Sequence, residues 1–146
     1  MHALIRHRRR ALVGKARLIW ITPLILLLAF ATAYTGRGAG EIVLVTTEAN
    51  FGTIPNDVPV TQTFEIRNDG TGTLQITELS TSCSCTIVEV ERDRIAPGES
   101  TVLTVTFDPT THNGATGDFM RQVFIRSNDP DTPETRFTLW VTVVEA

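Results

Sequence analysis

Few residues in this chain have chemistry to offer. Cys83 and Cys85 are the only cysteines, and they stand one residue apart in Thr81-Ser82-Cys83-Ser84-Cys85. Three readings fit such a pair. As thiols they are small buried packing units, and at i and i+2 of a strand they share one face. As a disulfide, inert or exchanging with a partner's thiols, they suit an oxidising compartment. Extended backbone would set their Cα atoms about 6.5–7 Å apart, at the edge of bridging range, so a bridge requires a bend between Thr81 and Cys85. As thiolates they suit a soft ion such as Cu(I), with His112 or Met120 as further ligands. A closed zinc site needs two more strong ligands, and His112 is the one histidine outside the N-terminal tail. No other cofactor is expected.

The remaining polar groups read as structure. His112 stands in Thr110-Thr111-His112-Asn113-Gly114, a solvated loop. Hydrolysis by a serine would need a base oriented by a third group, and no spacing marks one. Asp129 and Asp131 flank Pro130, but calcium wants six or more oxygens; Asn128-Asp129-Pro130 is turn chemistry. The chain is therefore not expected to be an enzyme.

The elements that must position these residues are strands. Beyond Gly40 apolar and polar residues alternate, and Thr and Val are abundant. Strands are expected over 42–47, 60–67, 73–79, 86–90, 101–107, 118–126 and 136–144. Asn68-Asp69-Gly70, Ala96-Pro97-Gly98 and 127–133 are the turns between them. This predicts an all-β fold, a seven-stranded immunoglobulin-like β-sandwich over 42–146. Phe137, Leu139, Val141 and Val143 fill one face of the last strand, which leaves Trp140 with Thr138 and Thr142 on the other. Trp140 there either packs on an outward neighbour such as Phe124 or forms a partner patch with it.

The first forty residues read as an address. Arg6, Arg8, Arg9, Arg10, Lys15 and Arg17 make residues 1–17 a basic cytoplasmic tail with no acid. Leu18–Tyr34 then runs 17 residues without a charge, so 18–35 is expected as one hydrophobic helix, a transmembrane anchor or a signal segment. The basic flank keeps the N-terminus inside and sends the body out of the cytoplasm. Cleavage at the small residues near Ala31 or Ala33 would release it. Residues 36–41 (Gly36-Arg37-Gly38-Ala39-Gly40 and Glu41) read as a flexible linker. The expected localisation is the cell membrane, single-pass, with lipid as one partner and an envelope protein as another. All 16 acids lie from Glu41 onward against seven arginines beyond residue 17, a net charge of −9 on 18–146, which excludes nucleic acid as a partner of the body.

One set of motifs carries a resemblance. Phe51-Gly52-Thr53-Ile54, Phe64-Glu65-Ile66-Arg67-Asn68-Asp69-Gly70, Leu74-Gln75-Ile76, Ser82-Cys83-Ser84-Cys85-Thr86, Ile95-Ala96-Pro97-Gly98-Glu99-Ser100, Val105-Thr106-Phe107 and Ser127-Asn128-Asp129-Pro130 follow one another in order. In sequence and spacing they resemble the bacterial domain-of-unknown-function family 1573, similar in turn to the ASH and major-sperm-protein (PapD-like) sandwiches. The resemblance covers roughly residues 44–144. It implies an exported protein with an Ig-like fold and no assigned activity. The family pattern has Gly between the cysteines; Ser84 stands there in this sequence, without glycine's backbone freedom. The function expected from all of this is a membrane-tethered, exported, non-catalytic interaction or structural module of the cell envelope, with copper binding or thiol redox chemistry at Cys83 and Cys85 as the alternative.

Overall fold

Alternation along each long strand gives one apolar row, and two sheets bury their rows against each other. The computed structural model describes residues 38–146. Among them are nine strands: β1 (Ile42–Leu44), β2 (Glu48–Pro55), β3 (Val60–Asn68), β4 (Leu74–Thr81), β5 (Thr86–Val90), β6 (Arg94–Ile95), β7 (Ser100–Phe107), β8 (Gly117–Ser127) and β9 (Glu134–Val144). One sheet has the order β1-β3-β7-β5 and the other β2-β9-β8-β4-β6. Leu103, Val105 and Phe107 of β7 and Val123, Ile125, Phe137, Leu139, Val141 and Val143 of β8 and β9 fill the space between them. The all-β sandwich thus stands. Among the described residues no helix is long and apolar enough to cross a membrane. The basic tail and the apolar run over 18–35 lie outside the described residues.

The strand count differs from the expected seven. The first expected strand, 42–47, ends at Leu44, and the chain then crosses to the other sheet as β2. β2 pairs parallel with β9, from Glu48 opposite Thr138 to Pro55 opposite Val144, with the register shifting between Asn50 and Thr53. Gly52 sits inside that irregularity at φ +80°, so Phe51 and Ile54 both turn inward although they are three residues apart. That shift breaks the period of two by which a strand is recognised. β6 is two residues long and has no period to read.

The expected linker is likewise built into the fold from residue 38. Asp69 and Gly72 donate their N–H groups to the carbonyls of Glu41 and Ala39, at 3.0 and 2.9 Å. Backbone approaches so closely that a Cβ on Gly40 would stand 2.5 Å from the Leu74 Cα, which is what glycine serves there.

Two buried polar side chains tie distant segments together. Asn68, with no exposed surface, uses its whole amide: Nδ2 donates to the carbonyls of Gly72 and Ile95, and Oδ1 accepts from the N–H groups of Glu41 and Gly70. Asp129, also buried, accepts from Ile42 N–H through Oδ2 and from Asp131 and Thr132 through Oδ1. Burial opposes its ionised form, but the three N–H donors outweigh burial and hold the carboxyl below its ordinary value of 3.8. A carboxyl depressed in the folded state stabilises the fold above about pH 4 and loses that contribution as pH falls through the folded value. We therefore expect Asp129→Asn to lower stability at pH 7 by about 2 kcal/mol and to flatten the loss of stability below pH 4. Thermal melts across pH check this; a variant as acid-sensitive as the parent would contradict it.

Candidate functional site

The cysteine pair sits where β4 leaves its sheet. Ser82 N–H donates to the Gln122 carbonyl, and Gln122 N–H returns a bond to Ser82 Oγ, both at 2.9 Å, pinning the end of β4 to β8. The chain then turns: Thr86 N–H donates to the Cys83 carbonyl at 3.1 Å, and Thr81 Oγ1 reaches the carbonyls of Cys83 and Thr86. The turn brings the two Cα atoms to 5.2 Å, and the sulfurs are joined as a disulfide. The bend that a bridge requires is therefore present. Ser84 keeps a negative φ, since Asn113 is the one non-glycine with positive φ among the described residues. The turn thus does not need the glycine of the family pattern.

Cys85 is buried and Cys83 half-buried. Three elements close around them. Asp108 N–H, at the end of β7, donates to the Cys85 carbonyl at 2.8 Å. The 3-10 turn Pro109–His112, capped by Asp108 Oδ1 accepting from Thr110 N–H, delivers His112. His112 is not the free loop residue its sequence suggests. Its ring stacks on Phe119 at 5.5 Å and on Phe107 at 6.5 Å, and Nε2 lies 3.5 Å from the Cys83 sulfur. The third element is β8, which contributes Arg121. Its Nε–H donates to the Cys85 sulfur at 3.2 Å, an Nη2 nitrogen stands 3.3 Å from His112 Nε2, and the guanidinium lies over the Phe119 ring at 5.0 Å. An arginine has donors only, so His112 Nε2 presents its lone pair there and the ring proton is on Nδ1.

The sulfurs and the imidazole nitrogen all lie within 4.8 Å of one another, a three-ligand set in shape. Here, however, the guanidinium faces Cys85 sulfur and His112 nitrogen, two of the three atoms a metal would take. Met120, proposed as a further ligand, is not at the site. It points to the opposite face of β8 from Phe119 and Arg121, because neighbours on a strand alternate.

Arg121 is the residue that sequence reasoning missed. Phe119, Arg121, Val123 and Ile125 share one face of β8, and a cation in an apolar row implies a partner that accepts its hydrogen bonds.

The second candidate surface lies on the outer face of the β2-β9-β8-β4-β6 sheet. Trp140 pairs across the strands with Met120, and each is 46% exposed. Phe124 pairs with Arg136, whose guanidinium covers its ring at 5.4 Å. Phe124 and Trp140 share the outer face but are not neighbours. Phe124 lies four positions along β8 from Met120, about 13 Å along the strand. A groove of about 320 Å³ beside Trp140 is lined by Asn50, Asp118 and Thr142.

A family model described as "Protein of unknown function (DUF1573)" matches residues 42–143. The chain belongs to this family. Among curated proteins none matches it. Among solved structures, this DUF1573 domain is similar to a protein of unknown function from Porphyromonas gingivalis W83, at 26% identity and TM-score 0.66, covering 76% of this chain and 50% of that one. The chain thus spans about half the length of that relative. It is also similar to the ASH/PapD-like domain 7 of human CEP192, at 14% identity and TM-score 0.57, covering 74% and 88% of the two chains. The periplasmic chaperone SfaE matches at 10% identity and TM-score 0.51, over 73% of this chain and 61% of that one. The last two likenesses are of fold. They show that the sandwich of this chain is similar in fold to those two domains.

Proposed function

We propose that this DUF1573 protein is a membrane-tethered, exported, non-catalytic interaction module of the cell envelope. The observation that carries the reading is the outer face around Trp140 and Met120. Two large side chains, Trp140 and Met120, stand opposed and half-exposed side by side there, as a contiguous apolar spot. Polar neighbours ring the pair: Asn50 lies opposite Trp140 on β2, and the pairs Asp118–Thr142 and Gln122–Thr138 flank it along β8 and β9. An exposed apolar centre inside such a rim has the anatomy of a protein interface. The PapD-like sandwich supports the same reading, as a scaffold that needs no catalytic set. The basic tail and apolar run before it support a bilayer tether, and the −9 body supports a protein partner rather than nucleic acid.

The test uses the full chain in its own cells. A photo-cross-linking phenylalanine analogue at Met120 is expected to give one discrete adduct with an envelope protein, while the same analogue at the exposed Val58 gives none. External protease should digest the sandwich of intact spheroplasts. A protected sandwich, or equal adducts at both positions, would overturn the reading.

A further inference from the structure

The cluster at Cys83 and Cys85 has an asymmetry that an inert staple does not require. One sulfur belongs to a half-buried residue and the other to a buried one. The buried one alone receives a guanidinium N–H, from Arg121 Nε at 3.2 Å. A neutral disulfide sulfur is a weak acceptor, whereas a thiolate is a strong one and gains most from a cation. The arginine is thus placed for the state that follows S–S cleavage. We propose that Cys83–Cys85 is a thiol–disulfide exchange site in which an incoming thiolate attacks the Cys83 sulfur and Arg121 stabilises the Cys85 thiolate that leaves.

The step balances with an external dithiol as reductant. Its first thiolate bonds to the Cys83 sulfur, the Cys83–Cys85 bond breaks, and the electron pair stays on Cys85, facing Arg121. The reductant's second thiolate then attacks its own partner sulfur in the mixed disulfide. The reductant departs oxidised by two electrons, and Cys83 leaves as a thiolate that takes up a proton. His112 Nε2 lies 3.5 Å from that sulfur, so its lone pair is shared between the Arg121 N–H and the resulting S–H. Read backwards, the same site oxidises a dithiol. Exchange rates favour a leaving thiol of low pKa, and a reduced form stabilised by charge makes the disulfide more oxidising. Both effects assign Arg121 to Cys85. This site is separate from the outer face around Trp140, so it stands or falls independently of the interaction reading.

The test is a redox titration of the full chain in detergent against reduced and oxidised dithiothreitol, counting free thiols by alkylation and mass. The wild-type pair should cycle reversibly while circular dichroism stays unchanged. Arg121→Gln should lower the equilibrium constant for reduction about tenfold, a shift of about 30 mV to more negative potential. With Cys85→Ser, Cys83 should form a mixed disulfide with glutathione; with Cys83→Ser, the buried Cys85 should form it at least ten times more slowly. A bridge that resists reduction until the fold is lost would overturn the proposal without recourse to any variant. So would an unchanged equilibrium in Arg121→Gln, or a reduced protein that binds one Cu(I) and does not exchange.

Discussion

Replacing Asn68 by Leu is expected to cost about 3–4 kcal/mol, enough to lower the melting temperature by roughly 15 °C. The side chain is fully buried and uses both amide hydrogens and its oxygen in four bonds. Leu matches its branching, though it is bulkier, and leaves the carbonyls of Gly72 and Ile95 without their donor and the N–H groups of Glu41 and Gly70 without their acceptor. Each buried group so orphaned costs about 1–3 kcal/mol, less where water can reach it. Asn68→Asp separates shape from bonding. A carboxylate would face two carbonyl oxygens, so this variant should be as unstable at pH 7. It should regain stability as pH falls, because protonation is favoured in the folded state. Chemical denaturation at pH 7 and pH 5 measures both; an Asp variant that weakens steadily on acidification would contradict the account.

Phe107→Ala should cost about 3–5 kcal/mol, a third or more of the stability of an ordinary domain. Phe107 ends β7 with no exposed surface, and its ring lies 6.1 Å from Phe119 and 6.5 Å from His112. Its loss opens a cavity under both. The denaturation midpoint should drop with an unchanged slope, and Phe107→Leu should recover most of it. A Phe107→Ala variant within 1 kcal/mol of the parent would show that the core collapses around the gap instead.

What the sequence reveals follows from the range over which its signals act. The period of two marks the long strands because it is local, and β5 agrees with its expected span to the residue. β2 escapes because Gly52 and the register shift interrupt the period, and its partner β9 lies some ninety residues away. The cysteine pair and His112 are conspicuous by type. Their convergence depends on the turn after β4 and on the stacking of His112 between Phe107 and Phe119, which no spacing encodes. Arg121 looks like one more surface cation until β8 is known to face inward at Phe119, Val123 and Ile125. Trp140 is legible as an outward residue, but its true neighbour, Met120, is set by the β8–β9 register. Asn68 and Asp129 read as turn residues, which they are; that they also hold Glu41 and Ile42 is a long-range fact.

The central claim is that the module holds its protein partner through its outer face and not through its cysteines. The most direct measurement is the yield of the Met120 photo-adduct in two backgrounds of the full chain, Trp140→Ser and the double Cys83→Ser, Cys85→Ser variant. The account predicts loss of the adduct in the first and an unchanged yield in the second. An adduct that survives Trp140→Ser but vanishes with the cysteines would contradict it and place the working surface at the disulfide.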